Sequence, residues 1–275
     1  MIAALLAIAQ TLAPYVMVLG VAQDGGYPQA GCTRPDCVAA WKNPQLRKHV
    51  ASLAIVDPQT KQQWIIDATP DFAQQLAMLE WPRIDGIFLT HAHIGHYLGL
   101  AQLGREVMGA HDVRVYAMPR MREFLEHNGP WDQLVRLHNI VIEPLEANGE
   151  VRLNDRISVT PILVPHRDEY SETVAFIVKG TSRSILWLPD IDKAPDPALI
   201  DRVDVAYIDG TFYDENELPG RSRAEIPHPM IVDSMKRYPS SKVRFIHLNQ
   251  SNPALRNPSI AKPFHVATER ERTTL

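Results

Sequence analysis

Short apolar runs recur along the chain, and this pattern limits its fold more than any other feature of the sequence. Proline, glycine, aspartate or asparagine bounds the runs, as such residues bound β-strands. Several runs follow one another before a stretch with helical spacing intervenes, which favours a layered α/β fold over strict strand–helix alternation. The predicted strands cover residues 15–21, 51–56, 64–66, 86–90, 113–117, 157–164, 173–178, 185–188, 203–208 and 243–246. The predicted helices cover residues 98–108, 119–127 and 229–238, and a further one begins near residue 71.

Histidine or aspartate follows four of these runs at the point where the chain leaves the sheet. The residues are His91, His166, Asp190 and His247. Strand ends are where layered α/β proteins build their sites, because the scaffold is rigid there and the loops are open. We therefore expect these side chains to contribute to a functional site.

A His-x-His-x-x-His cluster strengthens this expectation. In an extended segment His91 and His93 point to the same face, and His96 begins the next predicted helix, from which it can turn back toward them. Imidazole nitrogens and a carboxylate suit zinc, manganese or iron, so the cluster predicts a metal site. Five other histidines are expected to be ordinary hydrogen-bonded residues: His49, His111, His127, His138 and His265.

The charge balance argues against some functions. The chain has 28 basic and 32 acidic residues, a net charge of −4, without long runs of one sign. A nucleic-acid-binding protein that works through a general basic field is therefore not expected, and the sequence lacks an aromatic platform suited to RNA. We expect a small-molecule substrate. An anionic substrate is compatible with this balance, because a metal can supply positive charge locally.

The N-terminal segment has the character of a secretory signal. No charged residue precedes Asp24, and the apolar stretch is shorter than the ~20 residues that span a bilayer, so no membrane span is expected. We expect residues 1–13 to be a signal peptide or a disordered N-terminus, and residues 14–275 to form a single domain. The protein is exported or periplasmic if residues 1–13 are a signal, and cytoplasmic otherwise. The sequence predicts nothing about oligomeric state.

The two cysteines, Cys32 and Cys37, are too few for a structural zinc site, which takes four ligands. In an exported protein such a pair predicts a small disulfide loop. In a reducing cytoplasm it could form half of a metal clip with a histidine from elsewhere in the chain. We favour the disulfide.

The order of these residues resembles the signature of the metallo-β-lactamase superfamily. The resemblance extends from about residue 15 to about residue 258, and it is strongest to the branch of coenzyme PQQ synthesis protein B. It implies an α/β fold, an αββα four-layer sandwich in which two mixed β-sheets are flanked by helices and metals lie at one edge. The motifs are His91-Ala-His-Ile-Gly-His96, Gly20-Val-Ala-Gln-Asp-Gly-Gly26, Val164-Pro-His-Arg-Asp-Glu-Tyr-Ser-Glu-Thr173, Pro189-Asp-Ile-Asp192 and His247-Leu-Asn-Gln-Ser-Asn-Pro253.

The resemblance also implies roles for individual residues. The first metal would be held by His91, His93 and His166, and the second by His96 and His247, with Asp190 as the bridging ligand. Zinc is the expected metal, as one or two ions, with manganese or iron as alternatives.

The chain departs from the family pattern at Gly95, where the family has an aspartate that is a ligand of the second metal. Glycine offers no ligand atom. Four alternatives stay open: a weak second site, a different metal, a ligand from another residue, or an empty site.

The resemblance implies a metal-dependent hydrolase of a small-molecule ester, lactone or phosphodiester, because a divalent ion lowers the pKa of its bound water from 15.7 to about 7 and makes hydroxide available. Asp190 would orient the attacking water. His228 resembles a loop histidine of the ribonuclease Z-like branch and would protonate the leaving group, the alternative being a cap of the helix that follows. The other functions to be weighed are an iron-dependent oxidative enzyme, as in the PQQ synthesis protein B branch, and a non-catalytic metal- or ligand-binding protein.

Four aspartates and glutamates near the expected ligands have weaker assignments. Asp168, Glu169 and Asp209 are candidates to orient a ligand imidazole. Asp192 is expected to be a loop-turn residue.

Overall fold

The computed structural model describes residues 12–81, 83–218, 220, 222 and 225–275. Its strands form two sheets of seven strands each. The strands are β1 (Tyr15–Gly20), β2 (Ser52–Asp57), β3 (Gln62–Ile66), β4 (Gly86–Phe88), β5 (Val113–Ala117), β6 (Ile140–Pro144), β7 (Val151–Arg152), β8 (Ser158–Leu163), β9 (Val174–Lys179), β10 (Ser184–Leu188), β11 (Val205–Asp209), β12 (Val243–Ile246), β13 (His265–Val266) and β14 (Arg272–Thr274).

The helices of the described residues are short. The α-helices are α1 (Pro35–Lys42), α2 (Phe72–Leu76), α3 (Ile94–Tyr97), α4 (Pro119–His127), α5 (Trp131–Arg136), α6 (Pro197–Asp201) and α7 (Ile231–Arg237). Short 3₁₀-helices cover Pro44–Leu46, Leu98–Leu103, Glu215–Glu217, Pro253–Leu255 and Pro258–Ala261.

The two sheets have matching topologies. The first has the order β14-β1-β2-β3-β4-β5-β6 and the second the order β13-β12-β11-β10-β9-β8-β7. In the first sheet the pairs are antiparallel up to β3 and parallel from β3 to β6. In the second they are antiparallel from β7 to β10 and parallel from β10 to β13. Both sheets are therefore mixed.

Burial on both faces explains why the strands read as continuous apolar runs. In β1, Val16 and Val18 belong to the core between the sheets, whereas Met17 and Leu19 pack on the opposite face beneath the helices. Successive side chains of a strand point to opposite faces, so both sets must be apolar. The predicted α/β architecture of two mixed sheets flanked by helices is confirmed.

The predicted helix over residues 98–108 is wrong in type and extent. The segment forms a 3₁₀-helix over Leu98–Leu103 and then a series of turns. The backbone N–H of Gly99 donates to Ala68 O at 2.9 Å, so this turn is bonded to the end of the first sheet rather than to its own helix. A Cβ at Gly99 would lie 2.2 Å from Thr69 O, which shows how closely the two backbones approach.

The structure settles the pairing of the cysteines. Cys32 and Cys37 form a disulfide at the start of α1, with their Cα atoms 5.9 Å apart. The favoured expectation of a disulfide loop is confirmed, and the metal-clip alternative is wrong.

The prediction for residues 1–13 concerns a segment of which residues 1–11 lie outside the described part of the chain. A single domain over residues 14–275 stays a prediction. Within the described residues no helix is both long enough and apolar enough to cross a membrane.

Phe176 offers a test of the packing between the sheets. Its ring meets that of Phe88 edge-on, with the centroids 5.5 Å apart, and both residues are fully buried. We expect Phe176→Ala to lower the free energy of unfolding by about 3–5 kcal/mol, measured by chemical denaturation, because it removes apolar contacts and leaves a cavity. The control Val107→Ala, at a side chain that is 65% exposed, should change it by less than ~0.5 kcal/mol. Equal losses in the two variants would contradict this account of the core.

Candidate metal centre

The polar residues that follow the strands meet at one edge of the sandwich. His91 follows β4, His166 follows β8, Asp190 follows β10 and His247 follows β12, and all four are buried. The rings of His91 and His166 lie 5.1 Å apart. The structure therefore brings together the side chains that the strand-end pattern singled out.

A first group of potential ligands consists of His91, His93, His166 and Asp190, whose ligand atoms all lie within 4.8 Å of one another. Asp190 Oδ2 is 3.4 Å from His91 Nε2 and 3.2 Å from His166 Nε2. It is 4.0 Å from His93 Nδ1. Three imidazoles around one carboxylate oxygen form a donor set that suits a divalent transition metal.

A second group consists of His96, His247 and a residue that the sequence analysis did not assign, Asp24. Asp24 Oδ1 lies 3.3 Å from His96 Nε2 and 3.8 Å from His247 Nε2. The rings of His91 and His96 are only 4.2 Å apart, so the two groups adjoin.

Asp190 also belongs to a third group, with Asp209 and His228. His228 Nδ1 lies 2.9 Å from Asp209 Oδ2 and 3.3 Å from Asp190 Oδ1. Burial would lower the pKa of His228, but Asp209 and Asp190 outweigh it and raise this pKa to about 9. His228 is thus buried beside the first group in a form that carries a proton.

The ring nitrogens that face away from the groups have their own partners. His96 Nδ1 donates to Asp67 Oδ2 at 2.7 Å. His91 Nδ1 lies 3.0 Å from Thr90 Oγ1, and His247 Nδ1 lies 3.0 Å from Thr211 Oγ1. Partners of this kind fix the orientation of metal-binding imidazoles and the nitrogen that each one offers.

The acidic residues of the loop after β8 behave in different ways. Glu169 Oε2 lies 2.9 Å from His93 Nε2, so it contacts a ligand candidate as expected. The Asp168 carboxylate instead accepts a hydrogen bond from Thr173 Oγ1 at 2.9 Å.

Asp192 and Asp209 make contacts that the sequence analysis did not predict. Asp192 lies in a bend of the loop after β10, as expected, and its Oδ1 also lies 2.7 Å from His166 Nδ1, a contact that the sequence analysis did not predict. Asp209 contacts His228 rather than one of the six expected ligands. It also accepts hydrogen bonds from the backbone N–H groups of Ile191 and Thr211, at 3.1 and 2.8 Å.

Unpartnered buried atoms test whether a metal fits here. Within the described residues, the buried polar atoms without a hydrogen-bond partner include Asp24 Oδ1, His91 Nε2, His96 Nε2, His247 Nε2 and Asp190 Oδ1. Leaving a buried polar group unsatisfied costs about 1–3 kcal/mol. His91 Nε2 faces Asp190 Oδ2 in the first group, and the Nε2 atoms of His96 and His247 face Asp24 Oδ1 in the second. These atoms fit a bound cation that accepts their lone pairs, whereas Asp190 Oδ1 faces His228 Nδ1 at 3.3 Å.

At Asp190 and His91 the charges agree with that fit. Burial would raise the pKa of Asp190, but His247 and His166 outweigh it and hold this pKa well below its usual range. Burial is also the main reason why the pKa of His91 is well below its usual range. An ionised carboxylate beside a neutral imidazole is the protonation state that metal ligands require.

Sequence reasoning missed Asp24 and Asp67. Asp67 directly follows β3 and is fully buried, and its carboxylate also accepts from the Thr90 backbone N–H at 2.8 Å. Asp24 follows β1 after three residues. Their positions after strand ends are the signal by which the sequence indicates both residues.

An α/β sandwich of two mixed sheets with histidine–aspartate groups at one edge is the architecture of the metallo-β-lactamase fold. The chain belongs to the β-lactamase superfamily: residues 63–251, more than half of the chain, match the family described as "Beta-lactamase superfamily domain". The family resemblance predicted from the motifs is confirmed.

Three known proteins illustrate the similarity. Coenzyme PQQ synthesis protein B of Acinetobacter baylyi is 24% identical over 287 residues, which cover 90% of this chain and 93% of that protein. The crystal structure of Zn²⁺-bound PqqB from Methylobacterium extorquens has a TM-score of 0.78 at 21% identity and covers 95% of this chain and 100% of that one. A diphosphatase of the PhnP family has a TM-score of 0.70 at 20% identity, with 95% and 97% covered. The expected likeness to the PQQ synthesis protein B branch is borne out.

A substitution at Asp67 tests whether the carboxylate beside His96 supports metal binding. We expect Asp67→Asn to weaken zinc binding about 10–100-fold, measured by competition with a chelator, because it removes the carboxylate that orients His96. Asp57→Asn is the matched control: Asp57 is equally buried, but it lies at the opposite end of the β2–β3 pair, beside Arg156. An unchanged zinc affinity in Asp67→Asn would contradict the role of this carboxylate.

Proposed function

We propose that the protein is a metal-dependent hydrolase of a small-molecule ester, lactone or phosphodiester. The observation that carries the proposal is the first group of ligands, in which three imidazoles surround Asp190 Oδ2 at 3.2–4.0 Å. The six ligands are those expected from the family pattern: His91, His93, His96, His166, Asp190 and His247.

Zinc is the metal that we propose, as one or two ions. Imidazole-rich sites with a carboxylate suit it, although manganese and iron accept the same donors. The similarity to a PqqB whose structure is described as Zn²⁺-bound supports the same choice.

The chemistry follows from what surrounds the substrate. A divalent ion, when bound, lowers the pKa of a water to about 7 and polarises a carbonyl or phosphoryl oxygen. Asp190 lies between the histidines of the first group and His228, with Oδ2 facing His166 and Oδ1 facing His228. From this position its carboxylate can orient a water toward the substrate. His228 keeps its proton through Asp209 and is the group that would transfer it to the leaving oxygen.

The rim of the site favours an anionic or amphipathic small molecule. Arg167 is exposed, and its Nη2 lies 3.5 Å from His93 Nδ1, which places a positive charge at the entrance. Ile94 and Tyr170 are 60% and 63% exposed beside the same histidine and Glu169, respectively. A phosphodiester satisfies the charge, and its organic substituents can contact the apolar side chains.

The disulfide is evidence about the cellular compartment of the protein. Disulfides persist in oxidising compartments and are rare in the cytoplasm. The Cys32–Cys37 bond therefore supports export, with residues 1–13 as the signal.

An iron-dependent oxidative enzyme is the second candidate, and similarity to coenzyme PQQ synthesis protein B over 90% of the chain favours it. The missing ligand at Gly95 could favour a single redox-active metal, but it does not add to this case, because the Asp24 carboxylate lies 3.3 Å from His96 Nε2. A non-catalytic metal-binding protein is the third candidate. Metal-dependent turnover of any substrate would exclude this candidate and leave the two enzymes.

The experiment compares metal-free protein with protein loaded with zinc, manganese or iron. We expect zinc or manganese to support hydrolysis of bis(4-nitrophenyl) phosphate, and His166→Ala to reduce the rate to that of the metal-free protein. The control His111→Ala, at an imidazole that is 84% exposed, should retain the wild-type rate. If no loaded form hydrolyses a phosphodiester, ester or lactone, the proposal fails, and oxygen consumption that requires iron would move the second candidate to first place.

His228 has a test of its own. We expect His228→Ala to lower kcat about 10²–10⁴-fold for a substrate with an alkoxide leaving group, with little change in KM, because the proton donor is lost. The loss should be much smaller for 4-nitrophenolate, which leaves without protonation. The alternative that His228 caps the following helix is wrong, because the N-cap residue of α7 is Met230. A purely structural role for His228 predicts the same loss for both leaving groups.

A further inference from the structure

Gly95, the position at which the chain departs from the family pattern, is in contact with Asp24. A Cβ built on Gly95 would lie 2.2 Å from Asp24 Oδ1 and 2.6 Å from its Cα. Real Cβ atoms do not approach other heavy atoms so closely, so a side chain at position 95 and the Asp24 loop in its present place exclude each other. The carboxylate of Asp24 thus occupies the space that a side chain at position 95 would need.

The Asp24 carboxylate is directed at two imidazoles. Its Oδ1 lies 3.3 Å from His96 Nε2 and 3.8 Å from His247 Nε2, and none of these three buried atoms has a hydrogen-bond partner. The opposite nitrogens of the rings are held by Asp67 and Thr211, so the Nε2 atoms can point only toward Asp24. Two nitrogens and a carboxylate oxygen meet at one place, as metal ligands do.

The backbone fixes this carboxylate in position. The loop after β1 is tied to the strand end that carries His247, because the Gln23 N–H donates to Leu248 O at 2.9 Å and the Leu248 N–H donates to Val21 O at 2.8 Å. The Gly26 N–H closes a turn by donating to Gln23 O at 2.7 Å. Asp24 lies inside that turn.

We infer that Asp24 is the carboxylate ligand of the second metal, supplied by the loop after β1 in place of the aspartate that Gly95 lacks. The inference rests on the metal centre of the proposed function, although it does not require that the reaction be hydrolysis. The ligand set of the second site is then Asp24, His96 and His247, which suits zinc, manganese or iron. Among the alternatives left by Gly95, a ligand from another residue is the one that this arrangement supports.

The test is the metal content of Asp24→Asn. This variant keeps the size of the side chain, which is 27% exposed, and removes its charge. After zinc loading and dialysis we expect about two ions per wild-type chain and about one per Asp24→Asn chain, by elemental analysis. Asp36→Asn is the matched control, because Asp36 has the same 27% exposure but lies in α1 and pairs with Arg34. This variant should keep both ions.

A second variant gives a positive signal at the same position. In cobalt-loaded Asp24→Cys we expect a thiolate-to-cobalt charge-transfer band in the near ultraviolet, which requires that residue 24 be bound to the metal. Absence of the band from folded, cobalt-loaded protein would overturn the inference. Two ions retained by Asp24→Asn with wild-type affinity, or a wild-type protein that binds a single ion, would also overturn it.

These readouts do not depend on catalysis. If Asp24→Asn keeps both ions while the wild type hydrolyses its substrate, the inference fails and the proposed function stands. If Asp24→Asn loses one ion and no substrate is hydrolysed, the ligand assignment stands and the hydrolase proposal fails.

Discussion

Buried polar atoms that lack hydrogen-bond partners at one edge of the sandwich are the constraint on which the rest of the structure depends. Asp24, His91, His96 and His247 each contribute such an atom. Each unsatisfied group costs about 1–3 kcal/mol, so the surrounding fold must hold these atoms in place until a cation binds them. Sheets that bury apolar side chains on both faces provide that support.

Parallel strands explain why residues far apart in the chain reach the same place. The strands β3 and β4 run parallel, as do β10, β11 and β12, so their carboxyl ends lie at one edge of each sheet. The residues that lie at those ends or shortly after them are Asp67, His91, Asp190, Asp209 and His247. Each half of the chain therefore contributes to the centre, and neither half contains a complete set of ligands.

The pattern of neighbouring residues predicted the strands and helices whose formation depends on those neighbours. Apolar runs bounded by turn residues predicted most of the strands, and α4 (Pro119–His127) has the bounds that its apolar spacing and following glycine indicated. The pattern did not predict conformations and contacts that depend on a residue far away in the chain. Gly99 leaves the helical hydrogen-bond ladder because Ala68 O accepts its N–H, and Asp192 contacts His166, which is 26 residues away.

The sequence by itself determined the class of fold and the histidines of the centre. Both the apolar runs of the buried strands and the spacing His91-x-His93-x-x-His96 lie within short segments of the chain, so they can be recognised without the tertiary structure. Only the tertiary structure decided which carboxylates face those histidines. Asp24 and Asp67 are separated from His96 by 72 and 29 residues, and nothing in the chain between them specifies the approach. Contacts of that kind arise when the sheets pack and their strand ends are brought to a common edge, so they depend on the whole fold rather than on any one segment.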